Sequence, residues 1–314
     1  MSELILIFAV FLDFLLGEPP SKFHPTVWMG TYIHWFYKKC PHKSQIVEFL
    51  WGFLLILTGV LLFAGSVHLI SKISVPFSLL ITLFSIPLLK VSFSIRSLLK
   101  SGKIIKEELE KGNLVEARKQ TSFHLVSRNT DELSEKEICS CVIESLSENI
   151  TDSFTSPVFY YLIFGLSGSW AYRFINTSDS MIAYRNEEFE WIGKFTAWCD
   201  SFLNYLPARI SALMILLAAF LHPRASLRRG FYCLLKDRKK TASPNAGWTM
   251  SAMAGALDVT LMKKGEYRLH GGSSLLNSTK IDICLKITLL SLIITMIALV
   301  ALIRGSVWAL NMVV

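Results

Sequence analysis

Apolar and polar residues along this chain separate into long blocks and do not alternate at the period of a strand. Residues 49–70 (FLWGFLLILTGVLLFAGSVHLI) contain no Lys, Arg, Asp or Glu, and an uncharged run of that length crosses the ~30 Å hydrocarbon core of a bilayer as a helix. Residues 287–303 are equally clean, with Lys286 and Arg304 placed as interfacial anchors. Four further blocks are shorter or interrupted. Residues 4–16 carry Asp13, 76–93 are apolar until Lys90, 155–172 are broken by Pro157, Gly165 and Gly168, and 202–221 hold Pro207 and Arg209. Interrupted blocks fit tilted, re-entrant or half-membrane segments packed against protein. The pattern predicts an all-α, polytopic integral membrane protein, read as one domain over residues 1–314, with a helical loop at about 94–154.

Composition sharpens this reading. With 52% hydrophobic residues and a mean hydropathy of +0.45, disorder, collagen-like repeats and a small disulfide scaffold are excluded. If all six blocks span, the connections 17–48, 94–154 and 222–283 share one side and carry 4, 9 and 11 Lys or Arg, against 3 in 173–201. Basic excess marks the cytoplasmic face, so the net charge of +8 reads as topology and affinity for a membrane surface. The localisation expected is the cell membrane, multi-pass, with the site facing the cytoplasm. No basic face with interleaved aromatics is evident, so nucleic acid is not an expected partner. The first apolar block lacks a basic n-region and runs straight into Asp13, which reads as a retained segment and not a cleaved signal. The six cysteines form no CxxC pair and have no His at zinc spacing, so reduced structural thiols are expected. No internal repeat is visible, which weakens a transporter built from inverted halves.

Polar residues concentrate in four patches. Asp13 closes the first apolar block ahead of Gly17, Glu18 and two prolines, with His24 just beyond; an ionisable residue in such a place is a functional candidate. In the second, Ser134 and Glu137 form a capping box. Glu144, Glu148 and Asp152 then follow along one drifting helical stripe. Asp152 stands directly before an apolar block, where a carboxylate needs a cation, and Mg²⁺ held by one or two carboxylates plus substrate phosphates suits it. In the third, Asn176, Asp179 and Ser180 share a face, with Tyr184 and Arg185 one turn on. Nearby, Asn204 and Arg209 interrupt an apolar run, so Arg209 must meet Asp200, Asp179 or a bound anion. In the fourth, Arg238, Lys239 and Lys240 precede Ser243–Pro244–Asn245–Ala246–Gly247–Trp248; Ser as N-cap and Pro at N1 predict a helix start beside cations, a place for an anion. No P-loop, GxSxG, HExxH or kinase signature is present.

These patches carry a resemblance. The stretches D13FLLGEPP20 with H24P25, L125VSRNT130, E144SLSENITD152, I175NTSDSMIAYR185, N204YLPARISA212 and S243PNAGWTMSAMAGAL257 resemble the CobD/CbiB family of cobalamin biosynthesis, the adenosylcobinamide-phosphate synthases. The resemblance implies a membrane ligase that joins adenosylcobyric acid to (R)-1-amino-2-propanol O-2-phosphate as an amide, with ATP and Mg²⁺. It further implies that Glu148, Asp152 and Asp179 hold Mg²⁺, and that Arg185 and Arg209 bind phosphate or carboxylate with Asn176, Tyr184, Asn204, Ser243 and Trp248. Asn245 would orient a substrate, and Asp13, Glu18 or His24 would deprotonate the amine. The partners implied are those two substrates and the lipid bilayer, with self-association or other corrinoid-pathway membrane enzymes left open. The chain departs from the family pattern at Asn129, Ser153, Ala183, Ser201 and Thr249; Asn129 and Ser201 each lose a carboxylate, so neither is expected to be catalytic.

One constraint follows from combining these motifs. With six full spans, residues 176–185 would fall opposite the others, so either 155–172 or 202–221 is expected not to cross fully. All the motifs are expected to meet in one magnesium-and-phosphate pocket. Two rival classes remain open: a corrinoid or anion transporter, which would move substrate without forming a bond, and a non-catalytic membrane sensor, which would tolerate alanine at Glu148, Asp152 and Asp179.

Overall fold

The computed structural model describes residues 2–73, 78–126, 128–184 and 186–313. Helices make up most of it. In chain order they are α1 (Ser2–Leu16), α2 (Pro25–Lys38), α3 (Gln45–Ile73), α4 (Ser78–Lys90), α5 (Ile95–Glu110), α6 (Leu114–His124) and α7 (Glu135–Ile150). They continue with α8 (Ser156–Ile182), α9 (Lys194–Leu203), α10 (Tyr205–Leu221), α11 (Leu227–Asp237), α12 (Ala246–Leu257) and α13 (Ser278–Val313). One antiparallel hairpin, β1 (Thr260–Lys263) with β2 (Tyr267–His270), pairs Thr260 with His270 and Lys263 with Tyr267. The protein is all-α apart from this ribbon, which the sequence pattern did not signal because its four-residue strands are too short to show a period.

Where the sequence reads as one domain, the chain divides into two compact units, residues 1–95 with 156–204, and residues 96–155 with 205–314. Each unit interleaves two stretches of sequence, so no linker marks the division. In the first unit α3 packs along α8, with α2 and α9 beside them and α1 against α4. Its contacts are close: Gly59 of α3 lies flat against the ring of Phe174 on α8, where a Cβ would overlap it. Helix α8 is not continuous. Gly165 adopts φ 68°, ψ −160°, a conformation essentially reserved for glycine. In the second unit α12 is the central element, packed by α11, α10 and α7, with α13 against α10 and α7. All twelve residues from Ala246 to Leu257 except Trp248 are buried. Its run of small side chains explains how three helices approach it so closely.

Three stretches are long and apolar enough to cross a membrane: Gln45–Lys72, Thr82–Glu110 and Ser278–Leu302. A fourth arises only if Lys194–Leu203 and Tyr205–Leu221 are taken as one broken span. The first has a hydropathy of 2.4 with only 22% of it buried, as expected of a helix whose outer face meets lipid. Both clean blocks of the sequence fall on these stretches. The 76–93 block begins outside the described residues at 76–77 and contributes to the second stretch. Of the interrupted blocks, 4–16 forms α1, only 15 residues long, and 155–172 falls on α8, which is broken at Gly165. Block 202–221 does not qualify alone.

The capping box is present as expected: Ser134 Oγ accepts from Glu137 N–H, and Glu137 accepts from Ser134 N–H at 2.8 Å. The expected helix start at Ser243–Pro244 is corrected. Ser243 Oγ does accept N–H groups, from Asn245 at 3.2 Å and Ala246 at 3.3 Å, but it closes a turn, and α12 begins at Ala246 with Asn245 as its N-cap residue. Substituting Gly59→Val should destabilise the protein by about 1–3 kcal/mol through overpacking against Phe174, measured as a fall in unfolding temperature in detergent; an unchanged temperature would show that the α3–α8 contact is looser than described.

Candidate functional site

The second unit holds a cation-lined cavity of about 450 Å³, walled by Tyr205, Arg209, Arg238, Lys239, Ser243 and Trp248. Helix α10 presents Arg209 one turn in, where its guanidinium lies 3.5 Å over the Tyr205 ring and 4.6 Å from the Trp248 ring. Arg238 caps α11 and approaches the same indole at 5.1 Å. Arg209 Nη1 donates to Asn245 Oδ1 at 2.9 Å. Stacking and the amide fix the guanidinium in place while leaving other N–H donors for a ligand. None of Arg209, Arg238 and Lys239 has a carboxylate within 4 Å among the described residues. Lys240 is different: it pairs with buried Asp237 at 2.6 Å. Three cations converging without a counter-charge form a site for a phosphate or carboxylate ligand.

The same unit has a second cavity, of about 220 Å³, lined by Arg128, Cys141, Glu144, Glu148, Asn149, Lys263 and Tyr267. Glu144 and Glu148, two members of the helical stripe, face this space together with Cys141. Glu144 is committed within the fold. It accepts from Ser140 Oγ at 2.5 Å and from Tyr267 Oη at 2.7 Å, and Ser140 Oγ in turn accepts from Met262 N–H, which ties the hairpin to α7. Burial and the Glu144 charge push the Tyr267 phenol far above its usual range, so it stays a donor. Glu148 is half-buried at the cavity wall, and Asp152 lies four residues on in the π-helical turn Thr151–Thr155. Among the described residues no three His, Cys, Asp or Glu side chains gather as a metal site; Glu148 and Asp152 belong to the second unit, and Asp179 to α8 of the first. One or two carboxylates beside amide and cationic groups still suit Mg²⁺ that keeps phosphate oxygens or water as its other ligands. Glu148 and Arg209 line different cavities of one unit.

In the first unit a chain of charges runs from the core to a cavity of about 230 Å³ lined by Glu18, His24, Thr26, Ser94 and Arg173. Asp13, fully buried on α1, lies 3.3 Å from Lys90 Nζ and accepts Ile95 N–H at 3.1 Å. Lys90 also reaches Glu18 at 2.9 Å, and Glu18 Oε2 meets His24 Nε2 at 2.8 Å. Burial alone would raise the Glu18 carboxyl, but hydrogen bonds from His24, Ser94 and Lys90 outweigh it and hold the group at about 2. His24 caps α2, its Nδ1 accepting Thr26 N–H at 3.2 Å, which assigns the Nε2–H tautomer that donates to Glu18. Asp13 is buried, Glu18 is held in its charged form by its donors, and Nδ1 of His24 is engaged in the cap; in this arrangement all three tie α1, α2 and α4 together.

Asn176 and Asn204, expected at substrate, instead hold a buried acid. Asn176 Nδ2 donates to Asp200 Oδ1 at 3.2 Å, and Asn204 Nδ2 to Asp200 Oδ2 at 3.0 Å. The Asn204 carbonyl accepts from Ser156 Oγ at 2.6 Å and Tyr172 Oη at 2.9 Å, so this 2% exposed amide has little capacity left for a ligand. Asp200 as the hub was not foreseen, because nothing in its spacing set it apart. Tyr184 is exposed, donates to Ser180 O, and lines a third cavity with Phe189, Lys194 and Trp198. Arg185 lies outside the described residues. Also missed as site residues were Arg128, Lys263 and Tyr267, which are remote in sequence from Glu148, and Tyr205, which reads as one more aromatic in an apolar run.

The chain matches the family described as CobD/Cbib protein over residues 6–307. It belongs to the CobD/CbiB family. It is 40% identical over 303 residues to a probable cobalamin biosynthesis protein CobD of Methanothermobacter thermautotrophicus, covering 95% of this chain and 97% of that one. It is 38% identical over 270 residues to cobalamin biosynthesis protein CobD of Dehalococcoides mccartyi, covering 85% and 87%. A probable CobD of Methanocaldococcus jannaschii is 36% identical over 277 residues, covering 87% and 89%. No solved structure matches. These names support a role in cobalamin biosynthesis for this CobD/CbiB member.

Two tests address the charge chain of the first unit. Lys90→Met leaves the buried Asp13 carboxylate uncompensated and should cost about 3–5 kcal/mol, most of it recovered in the Asp13→Asn/Lys90→Met double variant; equal losses in both would show that the pair is not coupled. Glu18 binds its proton less readily folded than unfolded. Its contribution to stability is therefore complete above its ordinary value of 4.5 and is lost as pH falls toward about 2. Glu18→Gln should flatten stability between those limits in acid titrations followed by circular dichroism.

Proposed function

We propose that this CobD/CbiB protein forms an amide between the propionate carboxyl of adenosylcobyric acid and the amine of (R)-1-amino-2-propanol O-2-phosphate, using ATP, at the cytoplasmic face of the cell membrane. The observation that carries the reading is the cavity of Arg209, Arg238 and Lys239, a cluster of three cations with no carboxylate partner among the described residues. A phosphorylated amine supplies the charge that this cavity lacks.

A carboxylate is a poor acyl donor. Transfer of the terminal phosphoryl group of ATP to the corrin carboxylate gives an acyl phosphate and ADP; the amine then attacks the carbonyl carbon, phosphate departs with the C–O bonding pair, and the amine loses a proton to solvent. In this scheme Arg209, braced by Tyr205, Trp248 and Asn245, anchors the phosphate ester, and Arg238 and Lys239 complete its neutralisation. Ser243 shapes the rim. Glu148, with Asp152, would hold Mg²⁺, which supplies charge neutralisation for nucleotide phosphates when bound. Arg128 and Lys263 face the same cavity and would bind an anionic group there.

Purified protein incubated with adenosylcobyric acid, the aminopropanol phosphate and Mg·ATP should yield the amide, detected by mass; no product from folded protein, with ethanolamine phosphate also tried, overturns the ligase reading. Arg209→Ala and Lys239→Ala should each raise KM for the phosphorylated amine about tenfold or more, the worth of a charge-assisted hydrogen bond. Neither should change the much weaker reaction of unphosphorylated 1-amino-2-propanol.

A further inference from the structure

Helix α11 is 11 residues long, about 16 Å, too short to cross a bilayer. Its inner face, Gly230, Cys233, Leu234 and Asp237, is buried, with Gly230 set close to the backbone of α12. Its outer face carries Leu227, Phe231, Tyr232 and Leu235, between 38% and 65% exposed, flanked by Arg228 and Lys236. Such a face is costly in water and has no protein cover among the described residues.

Two observations name its occupant. First, α11 follows α10 after a five-residue connection, and α10 exposes Leu213, Leu217, Phe220 and Leu221 along one stripe. An exposed apolar stripe on the candidate broken span Lys194–Leu203 with Tyr205–Leu221 suits lipid, and it ends at the last turn before α11, beside the edge of that candidate span. Second, residues 222–240 contain seven Lys or Arg and one acid, Asp237, and that acid is buried and bonded to Lys240 and His270 N–H. Arg224, Arg228, Lys236, Arg238 and Lys239 have no ion pair among the described residues. A second copy of the chain would set these cations against themselves. A surface of anionic headgroups over acyl chains matches both the charges and the apolar side chains.

We infer that α11 lies in the plane of the membrane as an anchor, its Leu227–Phe231–Tyr232–Leu235 face in the acyl boundary and Arg224, Arg228 and Lys236, which lie outside the cation-lined cavity, on anionic phospholipid headgroups. This is independent of the reaction proposed above, and none of the four apolar residues belongs to the cation-lined cavity.

The test uses the full chain with a nitroxide at Tyr232→Cys. Five of the six cysteines are buried, so Cys199→Ser removes the accessible one. In vesicles with about 30 mol% anionic phospholipid, the label should collide more with oxygen than with a water-soluble nickel chelate, and a label at exposed Lys264→Cys should do the reverse. Arg228→Glu with Lys236→Glu should shift the Tyr232→Cys label toward the chelate, about fivefold per basic residue lost, and zwitterionic vesicles should shift it the same way. Should Tyr232→Cys impair folding, Leu235→Cys carries the same label. Chelate access equal to that at 264 in both vesicle types would overturn the inference, as would dipolar broadening between labels, which would instead seat a second copy there.

Discussion

Arg209 holds a positive charge on an otherwise apolar helix with no carboxylate within 4 Å among the described residues, and the cation-lined cavity of the second unit is built around it. The guanidinium is kept flat between two aromatic rings and tethered by one amide, so its position is set by groups that do not neutralise it. Arg238 and Lys239 add to the same deficit. A protein that places three cations together without a counter-ion forgoes stability there unless a ligand brings the negative charge, and this asymmetry distinguishes the cavity from ordinary surface patches of lysine and arginine.

The first unit resolves the opposite problem. Its buried charges are all answered from within: Lys90 by Asp13 and Glu18, Glu18 again by His24, and Asp200 by two carboxamides. These groups resemble catalytic candidates when read one at a time, since each is an ionisable or polar residue in apolar surroundings. Their partners show that they brace helices against each other. A buried ionisable group marks function or architecture according to whether its partner is supplied by the same fold.

Much of this was legible in the chain. Long uncharged runs identify spans because a bilayer demands satisfied backbone over its full thickness, and Ser134 with Glu137 announced the start of α7 through short-range chemistry alone. The shared face of Glu144 and Glu148 was legible too, because helical spacing fixes it. What could not be read were the partnerships between distant segments. Nothing near Asn204 reveals Asp200 as a hub, and nothing near Glu144 announces Tyr267. The role of His24 was equally hidden, since a loop histidine looks the same whether its nitrogens are free or spent on a cap. Interleaving of the two units likewise left no compositional trace.

The Asp13–Lys90 pair also bears on how the chain is made. Translation delivers α1 with an acid on its inner face well before α4 exists, so the N-terminal helix emerges carrying a charge that nothing yet matches. The ion pair that seats Asp13 in the core therefore becomes available to α1 only after α4 has been synthesised.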